Sequence, residues 1–485
     1  MSLHRLPVEI VEQIVRETMP LGFEAFMLTS KSVYFIGQKH IERHNMLKRS
    51  YINFGFEADT NPGIDCSSKL LHRIAQDPLI AEYFESADFV SDGVITEVIS
   101  QELDELSSLV APGGTRMQEL LGTSKPLQRA GLVPSTFLEA AAEGALSRQQ
   151  RYLQELVLPR LWLHPLLPPM TTVLDKLAIE ASRRIDRPFS RLEKLESWGR
   201  YEDEVPLDDL QAFFVLPKFH DILCMGYFAV VDEHINKPFD WRFPGMVSEL
   251  RELKLLWCCV TAAELEELLL HTPKLESFKL EYTRDVVGCD WDVNAIVKAL
   301  QKHCGSTLAD ISITVDKIFG VTKGGLRDFQ PFSVLENLEL DLRFFFGPPV
   351  TEALRHMSAS EYRDHALSTA WDAASVPRLI DMLPSTIKTV RLLTGSDPGE
   401  PTIIKSLFKG WHIEAVDALP SLEGVLVMHG TETVGWVPVE PEDRQHNVIW
   451  WSTAREAIAA AGCSFGDNLS VTALWVEKIL DEDRA

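Results

Sequence analysis

Long hydrophobic runs and a regular cysteine framework are missing from this 485-residue chain. Its most apolar stretch, at 156–170, is broken by Arg160, His164 and four prolines, whereas a membrane-spanning helix needs about 20 apolar residues. The seven cysteines are irregularly spaced, which suits a reducing compartment. Glu9 and Glu12 interrupt the apolar residues near the start, so we expect no secretory signal. The sequence therefore predicts a cytoplasmic or nuclear protein with no membrane partner.

Basic charge is also scarce. The chain carries 71 acidic and 47 basic residues, which gives a formal net charge of −24. Nucleic-acid binding needs a concentrated Lys/Arg footprint, so we expect no nucleic-acid partner. The 45% hydrophobic content and 24% charged content are ordinary for a globular protein, and the length allows more than one folding unit.

Common catalytic and metal-binding motifs are absent from the sequence as well. His40 and His44 lie one helical turn apart in HIERH, but a catalytic zinc helix needs a Glu next to one of the histidines. Cys258 and Cys259 are adjacent and point to opposite faces if they lie on a strand, so they cannot bind one ion together. We therefore expect no catalytic residue, no metal and no cofactor, and a protein that is not an enzyme. An enzyme with unrecognised chemistry is the alternative.

Residues 8–17 form the first strongly patterned segment. At about 100° per residue, their aliphatic side chains fall within about 160° of a helical wheel, and the charged residues lie opposite. Pro7 suits the first helical turn, where the helix dipole also favours Glu9. A second apolar cluster follows at 23–37. Two or three short helices cannot bury this many apolar side chains among themselves, so something else must cover them.

The stretches LPVEIVEQIV and FMLTSKSVYFI together resemble an F-box in its fungal form, over about residues 3–49. The matching positions are Leu6, Pro7, Glu9, Ile10, Ile14, Leu28, Ser30 and Lys31. The resemblance implies a small helical F-box domain at 1–50 that binds a Skp-type adaptor and, through it, a cullin. The implied adaptor-binding residues are Leu6, Pro7, Val8, Ile10, Val11, Ile14, Val15, Leu28, Ser30 and Lys31. The alternative is a helical hairpin that packs onto the chain's own core.

A short pattern, aliphatic-x-x-aliphatic-x-aliphatic, recurs through the remainder of the chain. Six strong copies begin at residues 250, 275, 308, 335, 387 and 422, and weaker copies begin at 84, 153, 192 and 219. Each strong copy ends in the alternation of a half-buried strand. Helical segments such as 261–274 and 292–305 precede several copies. Helix and strand repeated in one direction predict an α/β fold with parallel strands and helices on the opposite face.

This part of the chain resembles the degenerate leucine-rich-repeat domain that often follows an F-box. The resemblance implies an irregular solenoid at 65–450, with strands on the concave face and helices outside. We expect a loop insertion at 101–135, a further helical insertion at 351–374 and a C-terminal cap at 451–485. The alternative is an ordinary α/β domain whose strands happen to start with leucine.

The polar positions of the strands and the aromatic residues just beyond them are the candidate client-binding residues. The polar set is Glu252, Lys254, Ser277, Lys279, Asp310, Ser312, Asn337, Glu339, Thr389 and Arg391, and the aromatic set is Trp257, Tyr282, Phe344 and Phe345. Buried capping of the repeat core explains the aromatic residues equally well. The resulting hypothesis is a non-catalytic substrate receptor of a Skp–cullin–F-box ubiquitin ligase with an unknown client protein. The alternative is a leucine-rich-repeat scaffold whose N-terminal hairpin caps its own solenoid.

Overall fold

The structure is a computed structural model, and parts of the chain lie outside its description. It describes residues 6–56, 73–74, 76–89, 153–158, 169–183, 189–199, 204–232, 234–284, 290–318, 321–323, 325–345, 376–394, 400–429 and 464–466, with the single residues 64, 70 and 479. The predicted insertions at 101–135 and 351–374, and nearly all of the predicted cap at 451–485, lie outside these residues. The chain divides into two compact units, 1–199 with 209–221, and 200–208 with 222–485.

The first unit combines N-terminal helices with a short parallel sheet. Its helices are α1 (Val8–Glu17), α2 (Phe23–Met27), α3 (Lys31–Tyr51), α4 (Pro169–Arg183) and α5 (Gln211–Phe214), with a 3-10 helix at Pro78–Tyr83. Its strands are β1 (Asn53–Phe54), β2 (Ser86–Asp88), β3 (Glu155–Leu158) and β4 (Lys194–Trp198). These four strands pair in chain order, and every pair is parallel.

The second unit contains the longer strands. They are β5 (Val205–Pro206), β6 (Asp221–Met225), β7 (Tyr227–Val231), β8 (Asn236–Lys237), β9 (Glu252–Val260), β10 (Ser277–Arg284), β11 (Asp290–Asp292), β12 (Asp310–Ile318), β13 (Val321–Lys323), β14 (Asn337–Asp341), β15 (Thr389–Thr394), β16 (Gly424–His429) and β17 (Ser464–Gly466). From β9 to β17 the main sheet runs β9-β10-β12-β14-β15-β16-β17, all parallel. The α/β class with a mostly parallel sheet is therefore confirmed.

Among the described residues, helices lie between β9 and β10, β10 and β12, β14 and β15, and β15 and β16. They are α6 (Ala262–Leu270), α7 (Val293–Cys304), α8 (Leu379–Met382), α9 (Glu400–Leu407) and α10 (Trp411–Ala418). One 3-10 helix follows β5 at Leu207–Leu210, and another follows β14 at Leu342–Phe344. The Asp292 side chain caps α7 by accepting from the Ala295 N–H at 2.9 Å. Thr261 precedes α6, but its side chain makes no cap hydrogen bond. Glu264 accepts from the Phe239 N–H at 2.6 Å. Across the described residues, no helix has the length and apolar content needed to cross a bilayer.

The recurring pattern coincides with the strands. In all ten predicted copies the strand begins at the third residue of the pattern. An eleventh copy, Tyr51–Phe56, was missed in the sequence, and it contains β1. The first, fourth and sixth residues of the copies are buried, with Leu422 half-buried. These residues form the core behind the sheet because alternate side chains of a strand point to the same face.

Backbone hydrogen bonds repeat with the pattern. The carbonyl of Ile52 accepts from the N–H groups of Glu85 and Ser86, both at 3.0 Å. The same double acceptance occurs at the carbonyls of Glu85, Gln154 and Glu193 in the first unit, and of Arg251, Glu276, Ala309, Glu336 and Lys388 in the second. Each of these acceptors is the second residue of its copy, so the backbone enters successive strands in the same way.

Candidate functional site

The three N-terminal helices share a small apolar core. It consists of Val11, Val15, Met19, Phe23, Met27 and Val33, with Leu6, Phe26, Ile36, Ile41 and Leu79 partly buried against it. Gly37 lets the helices approach closely, since a Cβ there would lie 2.2 Å from Met27 Sδ and 3.3 Å from Val15 Cγ1. Leu79 comes from the 3-10 helix that follows β1. The core therefore includes residues beyond the predicted F-box segment.

Polar contacts fix the helices to each other and to this 3-10 helix. Glu12 on α1 lies 2.7 Å from Lys39 Nζ on α3, and this hydrogen bond lowers the pKa of Glu12. His44 Nδ1 lies 2.8 Å from the Tyr83 hydroxyl, and burial raises the pKa of Tyr83 to about 12. Arg43 pairs with Asp77 at 2.7 Å. The three N-terminal helices and this 3-10 helix thus form one packed assembly within the first unit.

The structure separates the predicted adaptor-binding residues into two groups. Val11 and Val15 are only 5% and 0% exposed, because they occupy the middle of the apolar stripe that α1 turns towards α2 and α3. Their prediction as contact residues is therefore corrected: in this structure they belong to the monomer's own core. Ile10 lies about 100° from Val11 around the helix, and it remains 43% exposed.

The other predicted contact residues lie outside the core or at its edge. Val8 is 58% and Leu28 83% exposed, while Pro7 and Lys31 are exposed and Leu6 and Ile14 are half-buried. Ser30 is the N-cap of α3, and its hydroxyl accepts from the Val33 N–H at 3.2 Å. Its role in the structure is thus to start the helix.

Large exposed hydrophobic side chains are concentrated in this part of the molecule. Seven of the twelve found among the described residues lie between residues 8 and 46: Val8, Ile10, Leu21, Leu28, Tyr34, Phe35 and Met46. We call these seven residues the N-terminal apolar set. Phe35, at 72% exposure, was not singled out in the sequence, although it lies four residues after Lys31 on the outer face of α3. Exposed apolar side chains that form one continuous patch mark interaction sites, whereas single ones are normal on a protein surface.

The second candidate surface is the polar face of the main sheet in the second unit. Lys279 lies 3.2 Å from Asp310 Oδ2 and 3.7 Å from Glu252 Oε1. Lys254 lies 3.1 Å from Glu252 Oε2, so four of the predicted polar residues share one ion-pair network. Ser312 donates to Glu339 Oε2 at 2.7 Å. Ser312 and Glu339 are only 2% and 6% exposed, so their prediction as open surface positions is corrected.

Three of the four candidate client-binding aromatic residues are buried. Tyr282 is 1% exposed and stacks on Trp291 with ring centroids 4.1 Å apart. Phe344 is 1% exposed and packs edge-on against the same indole, and Phe345 is 2% exposed. Their prediction as exposed anchors is therefore wrong, because these rings complete the apolar core beyond the strands. Trp257 is half-buried and remains at the surface.

Trp257 is held in an unusual conformation beside a buried carboxylate. It has φ of 51° and is the extra residue of a bulge, since Leu256 pairs with Glu281 and Cys258 with Tyr282. Its side chain hydrogen-bonds to Glu281, which is only 5% exposed. Glu281 Oε2 has no hydrogen-bond partner. Burial, together with the charges of Asp316 and Glu339, raises the pKa of Glu281 to about 8.

The four cysteines among the described residues are buried. Burial raises the pKa of Cys258 to about 12 and that of Cys224 well above its usual value, so both thiols are poor nucleophiles. No group of three or more His, Cys, Asp or Glu side chains among the described residues is arranged to hold a metal ion. A comparison of the chain with protein-family models and with curated proteins gave no match.

Proposed function

We propose that the chain is the substrate-receptor subunit of a Skp–cullin–F-box ubiquitin ligase. The N-terminal helices dock on a Skp-type adaptor, the repeat strands bind a client protein, and other subunits transfer ubiquitin. The mechanism is proximity, because holding a client lysine near a charged conjugating enzyme raises its effective concentration. The protein itself contributes no reacting group.

The incomplete coverage of α1 is the observation that carries this proposal. The helix buries Val11 and Val15 in the monomer but leaves Ile10 and Val8 on the two edges of the stripe. Leu28, at the end of α2, is 83% exposed. A soluble monomer gains nothing from presenting these aliphatic groups to water, whereas a partner surface would bury them at about 25 cal/mol per Å² of apolar area.

The repeat pattern supports the receptor half of the proposal. The main sheet keeps chain order from β9 to β17, and β10, β12, β14, β15 and β16 enter through the same double hydrogen bond. Helices lie between most of these successive strands. These features are expected of an irregular leucine-rich-repeat solenoid, in which each unit contacts only its neighbours. A doubly wound α/β domain would instead reverse its strand order at a switch point. In the proposal, the polar strand face carries client recognition.

One observation favours the second candidate, a scaffold whose N-terminal helices only cap its own repeats. Leu79 packs into the helical core, and Asp77 and Tyr83 hold α3 through Arg43 and His44. This packing means that deletion of residues 1–50 would expose the first repeats under either hypothesis. Deletion therefore does not discriminate between the two, and surface point variants are needed.

The test is retention of a purified Skp-type adaptor by the immobilised full-length chain. Ile10→Asp and Leu28→Asp place a charge on exposed positions, so they are expected to abolish retention without unfolding the protein. Leu270→Asp is the control, because Leu270 is an exposed leucine in the second unit and its exposure of 54% lies between those of Ile10 and Leu28. Retention by the wild type and Leu270→Asp, and loss in the other two variants, supports the proposal. No retention by the wild type, with native circular dichroism, removes it in favour of the scaffold.

A further inference from the structure

Glu281 occupies an energetically costly position on the strand face of the second unit. In the sheet register it lies between Leu256 of β9 and Thr314 of β12. It is 5% exposed, and its Oε2 atom has no hydrogen-bond partner. A buried carboxylate oxygen without a partner is rare in folded proteins, because its lost hydration is not replaced. The position therefore suggests a partner that comes from another molecule.

The surroundings of Glu281 are acidic. The charges of Asp316 and Glu339 both act on its carboxylate. Asp316 is the extra residue of a second bulge, since Tyr282 pairs with Val315 and Thr283 pairs with Lys317, and it accepts from the Thr283 hydroxyl at 2.7 Å. Glu339 is held by Ser312 at 2.7 Å. The local field at this place therefore favours a positively charged ligand.

Trp257 completes the arrangement. Its indole hydrogen-bonds to the Glu281 carboxylate and remains half-buried at the surface. A bulky residue at a positive φ is strained, and such strain is concentrated at functional positions. The bulge re-aims the indole towards Glu281, and an indole face attracts organic cations more strongly than the other aromatic rings do.

We infer that Glu281 and Trp257 form a binding site for a basic side chain, an arginine or lysine of the client protein. The cation donates to the unpartnered Oε2 atom and lies against the indole. This inference rests on the proposed function for the source of the ligand, but the site itself does not depend on adaptor binding. A hydrated metal ion is the competing occupant, although it would not use the indole face.

The test uses full-length protein labelled with 5-fluorotryptophan. The Trp257 resonance is assigned in the ¹⁹F spectrum from its loss in Trp257→Phe. Nα-acetyl-arginine amide and Nα-acetyl-lysine amide are titrated against the wild type at pH 9, above the Glu281 pKa of about 8, so that the carboxyl is ionised. The neutral citrulline and norleucine amides are the matched ligands. Glu281→Gln keeps the shape of the side chain and removes its charge. Glu276→Gln is the control variant, because Glu276 is 55% exposed and lies on the edge of the same repeat.

The expected result is a saturable shift of the Trp257 resonance with at least one basic amide and none with the neutral ligands. One amino-acid side chain supports only weak binding, so saturation is expected in the millimolar range. Glu281→Gln should weaken this binding at least about 30-fold, while Glu276→Gln leaves it unchanged. Three results would each overturn the inference. They are saturation by Mg²⁺ or Ca²⁺ but by neither basic amide, binding of a basic amide by Glu281→Gln that equals that of the wild type, and no saturable shift with any ligand.

Failure of this site and failure of the proposed function give different results. Glu281→Gln should retain the Skp-type adaptor as well as the wild type does, because Glu281 and the N-terminal apolar set belong to different compact units. Loss of amide binding with intact adaptor retention separates the two sites and supports both assignments. Amide binding by a wild-type protein that retains no adaptor leaves the cation site standing and removes the ligase assignment.

Discussion

The charge of Glu281 should contribute to the pH dependence of the stability of the protein. Its pKa rises from 4.5 to about 8 on folding, first because of burial and then because of the Asp316 charge. Between these two values the folded state holds a proton that the unfolded chain has released. The contribution of Glu281 to the stability therefore falls as pH rises through this window and levels off above about pH 8. The cost of this group is about 2 kcal/mol at pH 6 and about 4 kcal/mol at pH 8.

Replacing Glu281 with glutamine removes this cost, because the amide does not ionise. The free energy of unfolding of Glu281→Gln, relative to that of the wild type, should be larger at pH 8 than at pH 6 by about 2 kcal/mol. Urea titrations followed by circular dichroism at both pH values measure this difference, and both values lie above the sequence pI of about 5.0.

The control for this experiment is Glu276→Gln on the same strand edge. Glu276 is 55% exposed and pairs with Arg251 at 3.3 Å, so its replacement should change the pH dependence by less than about 0.5 kcal/mol. Parallel stability profiles for the wild type and Glu281→Gln would refute the reasoning. They would mean that the Glu281 carboxyl is ionised and satisfied in the folded protein.

Three further predictions test the packing. Tyr282→Ala should lower the free energy of unfolding by about 3–5 kcal/mol, because it empties a buried position beside Trp291; a loss below 1 kcal/mol in urea titration would contradict its burial. Val15→Ala should lower the free energy of unfolding by about 1–3 kcal/mol and Ile10→Ala by less than about 1 kcal/mol, because only Val15 is enclosed. Equal losses in the two variants would contradict the assigned buried face of α1. Ser30→Ala should cost about 1 kcal/mol through loss of the α3 cap, and thermal melts of Ser30→Thr should show that a second hydroxyl restores it.

Strand positions were the most predictable feature of this sequence. The pattern marked ten of the strands because its buried positions follow the alternation of a strand, and the copies begin in nearly the same way throughout the chain. The copy at Tyr51–Phe56 escaped notice, since aromatic residues replace the aliphatic ones and the copy directly follows a helix of 21 residues. The local alternation of buried and exposed positions thus predicts the strands. Whether the buried residue is aliphatic or aromatic matters less for the formation of the strand.

Side-chain exposure was less predictable, because it depends on contacts distant in sequence. The sequence alone places Tyr282 towards the end of a strand, where an aromatic residue can be exposed. In the structure Trp291 stacks on it and buries it. The wheel of α1 shows one continuous stripe, and only the packing of α2 and α3 divides it into buried Val15 and exposed Ile10. The bulge at Trp257, which places the indole beside Glu281, cannot be predicted from the alternation of polar and apolar residues. The burial of the Glu281 carboxyl therefore could not be predicted from the sequence.

Adaptor docking through the N-terminal helices is the central claim, and hydrogen exchange tests it most directly. The full-length chain is incubated in D₂O with and without a purified Skp-type adaptor, and peptide exchange is compared by mass spectrometry. We expect slower exchange at 6–14 and 26–36, which carry Val8, Ile10, Leu28 and Phe35, and unchanged exchange across 252–284. Unchanged exchange throughout residues 6–49 at a saturating adaptor concentration would contradict the account.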